Sequence, residues 1–284
     1  MHISQVTFRS LLTLAIALLS AATLSSAPLS APDGTVTPLS ADTLPAPPAA
    51  PELSLAKLQP YLPTFHGTIR PRFEWDTSDN LTRFQVKNAR LSAGGSIGAR
   101  VDYFMQVDFC SEGSFKLLDF WGRINLGRGV AIQAGQFRMP FGVDPFRAPH
   151  NYIFANRSFI GKYVCNYRAV GLKASFAPSA FPLSLEAGIF NPASTSSQTQ
   201  WSSTVAYSAK AAYRIIPDLK VATGFMSVVP YGRRANLIDA AITFTPGPFT
   251  FEAEYMNERY LNSPLPPCQA YNFYADYRIP VRWG

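Results

Sequence analysis

Apolar and polar residues alternate along the chain from residue 65 onward. In the segment 65–75, one phase is mostly apolar and contains Phe65, Ile69, Phe73 and Trp75, while the other contains His66, Thr68, Arg70, Arg72 and Glu74. A period of two is typical of a β-strand, whose successive side chains point to opposite faces. A soluble sandwich would turn the apolar face to a core, whereas a membrane barrel would turn it to lipid.

Further segments of comparable length show strand character, and twelve strands are predicted in all. In the second of them the apolar phase shifts between Val86 and Ala89, which indicates a β-bulge. Most of the strands are close to the length that a tilted membrane strand needs, about 9 to 11 residues. Their predicted ranges are 65–75, 82–93, 100–110, 117–126, 130–138, 166–176, 182–190, 202–215, 219–229, 237–245, 249–260 and 271–283.

The connections between these strands differ in length according to their parity. Every second connection is a short turn, with the sequences GGSIG, GRG, APSAF, PD and PGP. The other set includes longer segments at 139–165, 192–201 and 261–270. Short turns at one end and longer loops at the other are typical of bacterial outer-membrane barrels, and a soluble sandwich has no reason to show this asymmetry.

The first 63 residues precede the strand pattern. Arg9, the apolar run 11–20 and a series of small residues predict a signal peptide at 1–27, with cleavage after Ala22 or Ala27. The apolar run is too short to cross a bilayer as a helix. Residues 28–63 hold nine of the 24 prolines and predict an extended linker, with a periplasmic tether as the alternative. The barrel is expected to occupy 64–284.

Composition and charge narrow the class further. The chain has 25 basic and 18 acidic residues, and removal of Arg9 with the signal peptide leaves 24 against 18, or about +6. The longest basic run is Arg233-Arg234, so no nucleic-acid partner is expected. A secreted chain that is 47% hydrophobic, without a spanning helix, favours the outer membrane of a Gram-negative bacterium, with the lipid bilayer as its partner. The predicted fold class is therefore all-β, an antiparallel transmembrane β-barrel of about twelve strands.

The segment 139–165 is the longest predicted loop. It begins at Met139-Pro140, because proline cannot continue a central ladder, and it mixes aromatic with basic residues. A loop of this length is usually functional or disordered, and its aromatic content argues against disorder. Two interpretations remain open: an ordered external cap, or a loop folded into the lumen as a constriction.

Four segments carry a family resemblance: GQFRMPFG (135–142), FQVKNARLSAGG (84–95), YFMQVDF (103–109) and GIFNP (188–192). With them, the sequence resembles the phosphate-selective porin O and P family over roughly half the chain. The resemblance implies a passive outer-membrane channel, commonly a homotrimer, in which basic residues at the constriction favour anions. It places Arg147, Arg157 and Lys162 in the matching loop, with Arg138 at its root. Family barrels have sixteen strands, whereas twelve are counted here.

Strand alternation also predicts residues of the pore wall. Arg70, Arg72, Arg100 and Arg123 fall in the polar phase of their strands and are candidates for the wall. Acidic residues share that phase, among them Asp102, Asp108, Asp119, Glu186, Asp239 and Glu252, so the lumen is mixed in sign. Many of these charges are expected to pair across strands. Any preference for anions must then come from unpaired basic groups at the loop.

The remaining residue types offer no enzyme chemistry. His66 and His150 have no recognisable activating partner, and no motif indicates a metal, a cofactor or a nucleotide, so no catalytic residue is predicted. Cys110, Cys165 and Cys268 all fall at the external end of the predicted barrel. Cys110 and Cys165 are a candidate disulfide pair, although the odd count leaves one thiol over and the sequence does not fix the pairing.

The expected function is a diffusion channel for small solutes that favours anions such as phosphate. A non-conducting barrel that serves as a surface adhesin or a structural protein is the alternative. The position of residues 146–162 distinguishes the two, because a channel needs the lumen to stay open around this segment.

Overall fold

The computed structural model describes residues 61–111, 113–148, 151–154, 156–192 and 197–279. The predicted signal peptide and nearly all of the predicted linker lie outside these residues. All twelve predicted strands are confirmed, and the bounds of the fifth and the eleventh are the predicted ones. The strands are β1 (Thr64–Asp76), β2 (Leu81–Ile97), β3 (Val101–Ser111), β4 (Ser114–Gly127), β5 (Val130–Arg138), β6 (Arg168–Phe176), β7 (Leu183–Phe190), β8 (Ala206–Ile216), β9 (Leu219–Val228), β10 (Ala235–Phe244), β11 (Phe249–Tyr260) and β12 (Cys268–Tyr277).

The strands form one antiparallel sheet in which each pairs with its neighbours in chain order. The predicted bulge in β2 is present: Arg70 pairs with Asn88 while Pro71 pairs with Val86, so Lys87 is the extra residue. Pro71 has no backbone N–H to donate, and a bulge is one of the few places in a sheet that tolerates this. The phase shift in β2 and the proline in β1 therefore have the same cause.

A single loop brings the two ends of the sheet near each other. The ring of Phe154 lies 5.6 Å from that of Tyr274 on β12, and Asn156 accepts a hydrogen bond of 2.7 Å from Arg72 on β1. Two residues of chain span only about 7 Å. The first and last strands therefore approach each other, as a barrel requires, although the ladders described do not include a β1–β12 pair. We call the enclosed side the lumen.

The two faces of β1 show which side of the sheet meets lipid. Phe65, Ile69, Phe73 and Trp75 point away from the lumen and are exposed, Ile69 to 74%. Arg70 and Arg72 point the other way, and both contact the long loop. The apolar face is therefore the outer one, as a membrane barrel requires. None of the described residues belongs to a helix long and apolar enough to cross a membrane.

The packed core of the described residues lies inside the barrel. It combines Phe137 at the end of β5 and Phe141 in the long loop with Met226, Leu237 and Met256 on the inner face of β9 to β11. These side chains occupy lumen positions, so this half of the lumen is filled, with apolar residues packed beside buried carboxylates such as Asp239 and Glu254. Burial of each large apolar side chain contributes about 1.5–3 kcal/mol, which fixes the start of the loop against the strands.

Candidate functional site

The loop between β5 and β6, residues 139–167, is folded onto the inner face of the sheet. Its first residues are almost fully buried, with Phe141 at 0% exposure. A 3-10 turn (Asp144–Phe146) and a π-helical turn (Ile160–Val164) give it regular structure. The motif GQFRMPFG makes this path possible because Gly142 has a φ of +73°, and a Cβ there would lie against Met256 and Glu254. The geometry matches the inward-folded interpretation, and the external cap is not observed.

Three carboxylates on the inner face of β10 and β11, Asp239, Glu252 and Glu254, form what we call the acidic wall. The backbone N–H groups of Val143 and Asp144 donate to Glu254 at 2.5 and 3.2 Å. The N–H of Gly142 donates to Asp239 at 3.4 Å, and Lys210 donates to the carbonyl of Gly142. The loop backbone therefore contacts Glu254 and Asp239, two of the three carboxylates of the acidic wall.

Asp144 connects the loop to itself and to the sheet. It is 1% exposed and accepts hydrogen bonds from Tyr274 on β12 at 3.1 Å and from Ser158 at 2.6 Å. It also forms an ion pair with Arg147 at 3.2 Å, and Arg147 in turn lies 2.5 Å from Glu252. Burial opposes the charge of Arg147, but the hydrogen bond to Glu252 and the nearby Asp144 more than offset it, so its pKa is raised. Arg147 is thus an ion-paired residue that anchors the loop.

A cavity of about 410 Å³ remains between the loop and the opposite wall of the barrel. We call it the basic cavity. Of the four residues predicted at the constriction, Arg138, Arg147 and Arg157 line it. Lys162 is exposed, lies over the ring of Tyr163 at 4.8 Å and is not among the lining residues. The other lining side chains that matter for charge are Arg90, Asp119, Arg123, Arg168, Lys173 and Glu186.

Most of the cations around the basic cavity are paired with carboxylates, as the mixed lumen predicted. The ion pairs are Arg90–Asp108 at 2.9 Å, Arg123–Asp102 at 2.8 Å, Arg168–Asp119 at 3.1 Å and Lys173–Glu186 at 2.5 Å. Two of them, Arg90–Asp108 and Arg123–Asp102, join residues directly opposite each other on neighbouring strands. Such pairs neutralise the wall locally and leave little net field.

Arg138 and Arg157 differ from these ion-paired cations, because neither of them forms an ion pair within the described residues. Arg138 is 8% exposed, its Nε has no hydrogen-bond partner, and its guanidinium lies 5.9 Å from the ring of Phe146. Arg157 donates to two neutral oxygens, the Arg147 carbonyl at 3.0 Å and Asn166 Oδ1 at 3.3 Å. Burial lowers the pKa of Arg157, and Arg168 and Arg90 lower it further. These two guanidinium groups carry the uncompensated positive charge of the basic cavity.

The four residues predicted at the pore wall have separate positions. Arg70 lies over the ring of Tyr152 at 5.0 Å, Arg72 pairs with Glu74 at 2.7 Å, and Arg123 lines the basic cavity. Arg100 is exposed and lies in the turn before β3, so it is not in the strand that was predicted to begin with it. The reason is local: the left-handed Gly98 ends the extended stretch and lets the chain reverse before Val101.

The candidate disulfide is not formed, and all three cysteines are free thiols. Cys165 is buried and donates to the carbonyl of Ile160 at 3.1 Å, while Cys110 donates to the carbonyl of Val86 at 3.3 Å. Cys165 packs in the apolar core under the loop, and Cys110 contacts β2. Burial also raises the pKa of Cys165, so its thiol stays protonated and unreactive.

Sequence reasoning missed several residues of the site, and some of them carried a signal. The bulge at Lys87 reverses the phase of β2 and turns Arg90 inward beside Asn88 and Ser92, so a bulge-corrected alternation would have found it. Arg168 lies in the opposite phase from Lys173 and offered no such signal. Asp144 lies in a loop, where the alternation of apolar and polar residues that identifies lumen-facing strand positions does not apply.

In the described part of the chain, no group of three or more His, Cys, Asp or Glu side chains is arranged so that it could hold a metal ion. His66 is exposed on β1. His150 lies outside the described residues.

Comparison with known proteins gives one family. Residues 70–219, which are more than half of the chain, match the family model of phosphate-selective porin O and P. No curated protein matches the sequence. Among solved structures, a substituted porin of Rh. blastica is similar with a TM-score of 0.40 and 13% identity, over 76% of this chain and 90% of that one. OmpT of Vibrio cholerae, folded in vitro and in its trimer form, is similar with a TM-score of 0.36 and 12% identity, over 76% and 88%.

Proposed function

This chain belongs to the phosphate-selective porin O and P family and is an outer-membrane porin; we propose that it passes small anions in preference to cations, and that Arg138 and Arg157 supply the preference. One observation carries the proposal. The loop covers the acidic wall with backbone N–H groups at Glu254 and Asp239 and with Arg147 at Glu252. The cavity on its other side retains two guanidinium groups that have no carboxylate partner among the described residues. The loop thereby makes a lumen of mixed sign locally basic.

The electrostatics of the cavity explain why two unpaired arginines suffice to give the channel a preference for anions. A charge in a narrow space with low-dielectric walls acts on an ion more strongly than it would in water. The paired cations on the wall contribute little because each has a carboxylate within about 3.2 Å. An anion that reaches Arg138 and Arg157 meets two guanidinium groups whose Nε–H makes no hydrogen bond and which have no carboxylate partner among the described residues, whereas a cation meets uncompensated like charge. A channel also requires that the bound ion leave again, which a small excess of charge permits.

Arg147 and Lys162 have other roles in this proposal. Arg147 already has two carboxylate neighbours and serves to hold the loop in place. Lys162 is exposed and does not line the basic cavity. The constriction residues that contact anions are therefore Arg138 and Arg157, with Arg147 as a positioning residue.

Single-channel recording of the refolded protein in a planar bilayer tests this function. In a KCl gradient, the proposal expects discrete conductance steps and a reversal potential on the anion-selective side. A cation-selective reversal potential would overturn the anion preference and leave the porin assignment intact.

The filled half of the lumen favours a second candidate, a barrel that does not conduct and acts as a structural protein or a surface adhesin. Phe141, Met226, Leu237 and Met256 are each completely buried, so the packed core around them excludes solvent. Failure to observe any conductance step from folded, inserted protein would support this candidate. A homotrimer, which the family resemblance implies, is proposed as the assembly of either form.

A further inference from the structure

The basic cavity also presents aromatic rings. Phe104 on β3 and Trp121 on β4 are directly opposite each other, with ring centroids 5.6 Å apart and planes at 27°. Both are only partly buried and both line the cavity, as does Phe146 from the long loop. Phe104 and Trp121 lie in the lumen-facing phase of their strands, so contact with lipid does not explain them.

The rings and the cations share the same surfaces. Arg138 lies 5.9 Å from the ring centroid of Phe146, and Lys210 lies 4.6 Å from the same ring. Arg123 lies 5.6 Å from the ring of Trp121. A solute in this cavity therefore meets guanidinium groups and aromatic faces at once.

This combination suits one chemical class of anion better than another. An inorganic anion such as phosphate needs several donors directed at it and gains nothing from an aromatic face. A carboxylate attached to a ring needs one guanidinium, which it can bind through two hydrogen bonds, and its ring gains from stacking on Phe104, Trp121 or Phe146. Small-molecule sites typically combine mostly apolar walls with a few polar groups, in volumes of about 300–1,000 Å³. At about 410 Å³ the basic cavity has that size.

We infer that the basic cavity favours organic anions that carry an aromatic ring over inorganic anions and over aliphatic carboxylates. This inference rests on the proposed function, because the solute must first enter as an anion. Arg138 and Arg157 supply the charge preference, and the three rings supply the preference among anions.

Block of the chloride current by added anions tests the inference. Sodium benzoate, sodium acetate and sodium phosphate are titrated against the refolded protein in KCl, and the concentration that halves the current is measured. A stacking contribution predicts that benzoate halves the current at a concentration roughly two- to tenfold lower than acetate does. Trp121→Leu should remove this difference between benzoate and acetate, and the reversal potential in KCl is recorded alongside. Phe120→Leu, on the exposed outer face of the same strand, is the matched control and should change neither.

The possible outcomes distinguish a failure of the preference for aromatic anions from a failure of the proposed anion selectivity. Equal block by benzoate and acetate, or stronger block by phosphate than by benzoate, would overturn the inference in a channel that is still anion-selective. A cation-selective reversal potential in KCl alone would overturn both. If Trp121→Leu does not refold, Phe146→Leu takes its place, because Phe146 is an exposed loop side chain whose loss leaves the strands intact.

Discussion

Glu252 on β11 holds Arg147 of the long loop, with 2.5 Å between carboxylate oxygen and guanidinium nitrogen and both side chains largely buried. The pair joins the loop to the wall of the barrel at a point where water has little access. Two charges in such a site stabilise each other only while both are present, since either one alone would be buried without a partner.

Glu252→Gln should therefore loosen the loop. We expect the free energy of unfolding to fall by about 2–4 kcal/mol, because Arg147 loses its strongest partner. Urea unfolding of the protein refolded into lipid vesicles measures the change. Glu74→Gln is the control, since it breaks the more exposed pair with Arg72 and should have a smaller effect. Equal losses in the two variants would contradict an anchoring role for Glu252.

Arg138→Gln should reduce the anion preference of the channel. The substitution removes one of the two guanidinium groups that face the cavity without a carboxylate partner, so the reversal potential in a KCl gradient should move toward zero. Combining it with Arg157→Gln should move it further. Arg128→Gln, in the exposed turn between β4 and β5, is the matched control and should leave it unchanged. An unchanged reversal potential in the double variant would show that the preference comes from elsewhere.

Arg157→Gln and Lys162→Gln should differ, although the two residues are only five positions apart. Arg157 lines the basic cavity, whereas Lys162 is exposed and does not. We expect a shift in reversal potential from the first variant and little or none from the second. The family resemblance alone would assign both to the constriction, so similar shifts would favour that assignment over the positions of the two side chains in the structure.

The three cysteines should react with a maleimide at different rates. Cys268 is exposed and should react first, while Cys165 is buried and its raised pKa keeps the reactive thiolate scarce. Because the pKa is raised, the thiolate of Cys165 should remain scarce as pH increases through the range where an ordinary cysteine ionises. Unfolding without reductant should make all three thiols reactive, as counted by mass spectrometry. A single reactive thiol after unfolding would instead indicate a disulfide.

Ile69→Arg should be far more harmful than Thr68→Arg. Ile69 lies near the middle of β1 on the exposed outer face, whereas Thr68 lies on the lumen side. A charged residue on the lipid face costs about 2–4 kcal/mol near the centre of the bilayer, while the lumen can hydrate it. Urea unfolding in lipid vesicles compares the two variants. A larger loss from Thr68→Arg would mean that the two faces have been assigned the wrong way round.

The sequence by itself determined the strands, the outer face of β1 and the bulge at Lys87. Each of these depends on neighbours along one chain: alternation has a period of two, and an inserted residue reverses its phase. The short connecting turns could be predicted for the same reason, since glycine and proline act on the local backbone. The family could be identified as well, because its clearest signature is the contiguous motif GQFRMPFG.

Only the tertiary structure decided which charges are left without a partner. In the sequence alone, nothing distinguishes Arg138 at the end of β5 from Arg147 in the loop that follows it. In the structure, Glu252 pairs with Arg147, and no carboxylate in the described residues forms an ion pair with Arg138. The carboxylates of the acidic wall, one of which pairs with Arg147, lie on β10 and β11, about a hundred residues further along the chain. Ion pairing depends on distances of a few ångströms across the lumen, and no local pattern encodes them. The same holds for Cys110 and Cys165, whose pairing depended on a proximity that the sequence could not show.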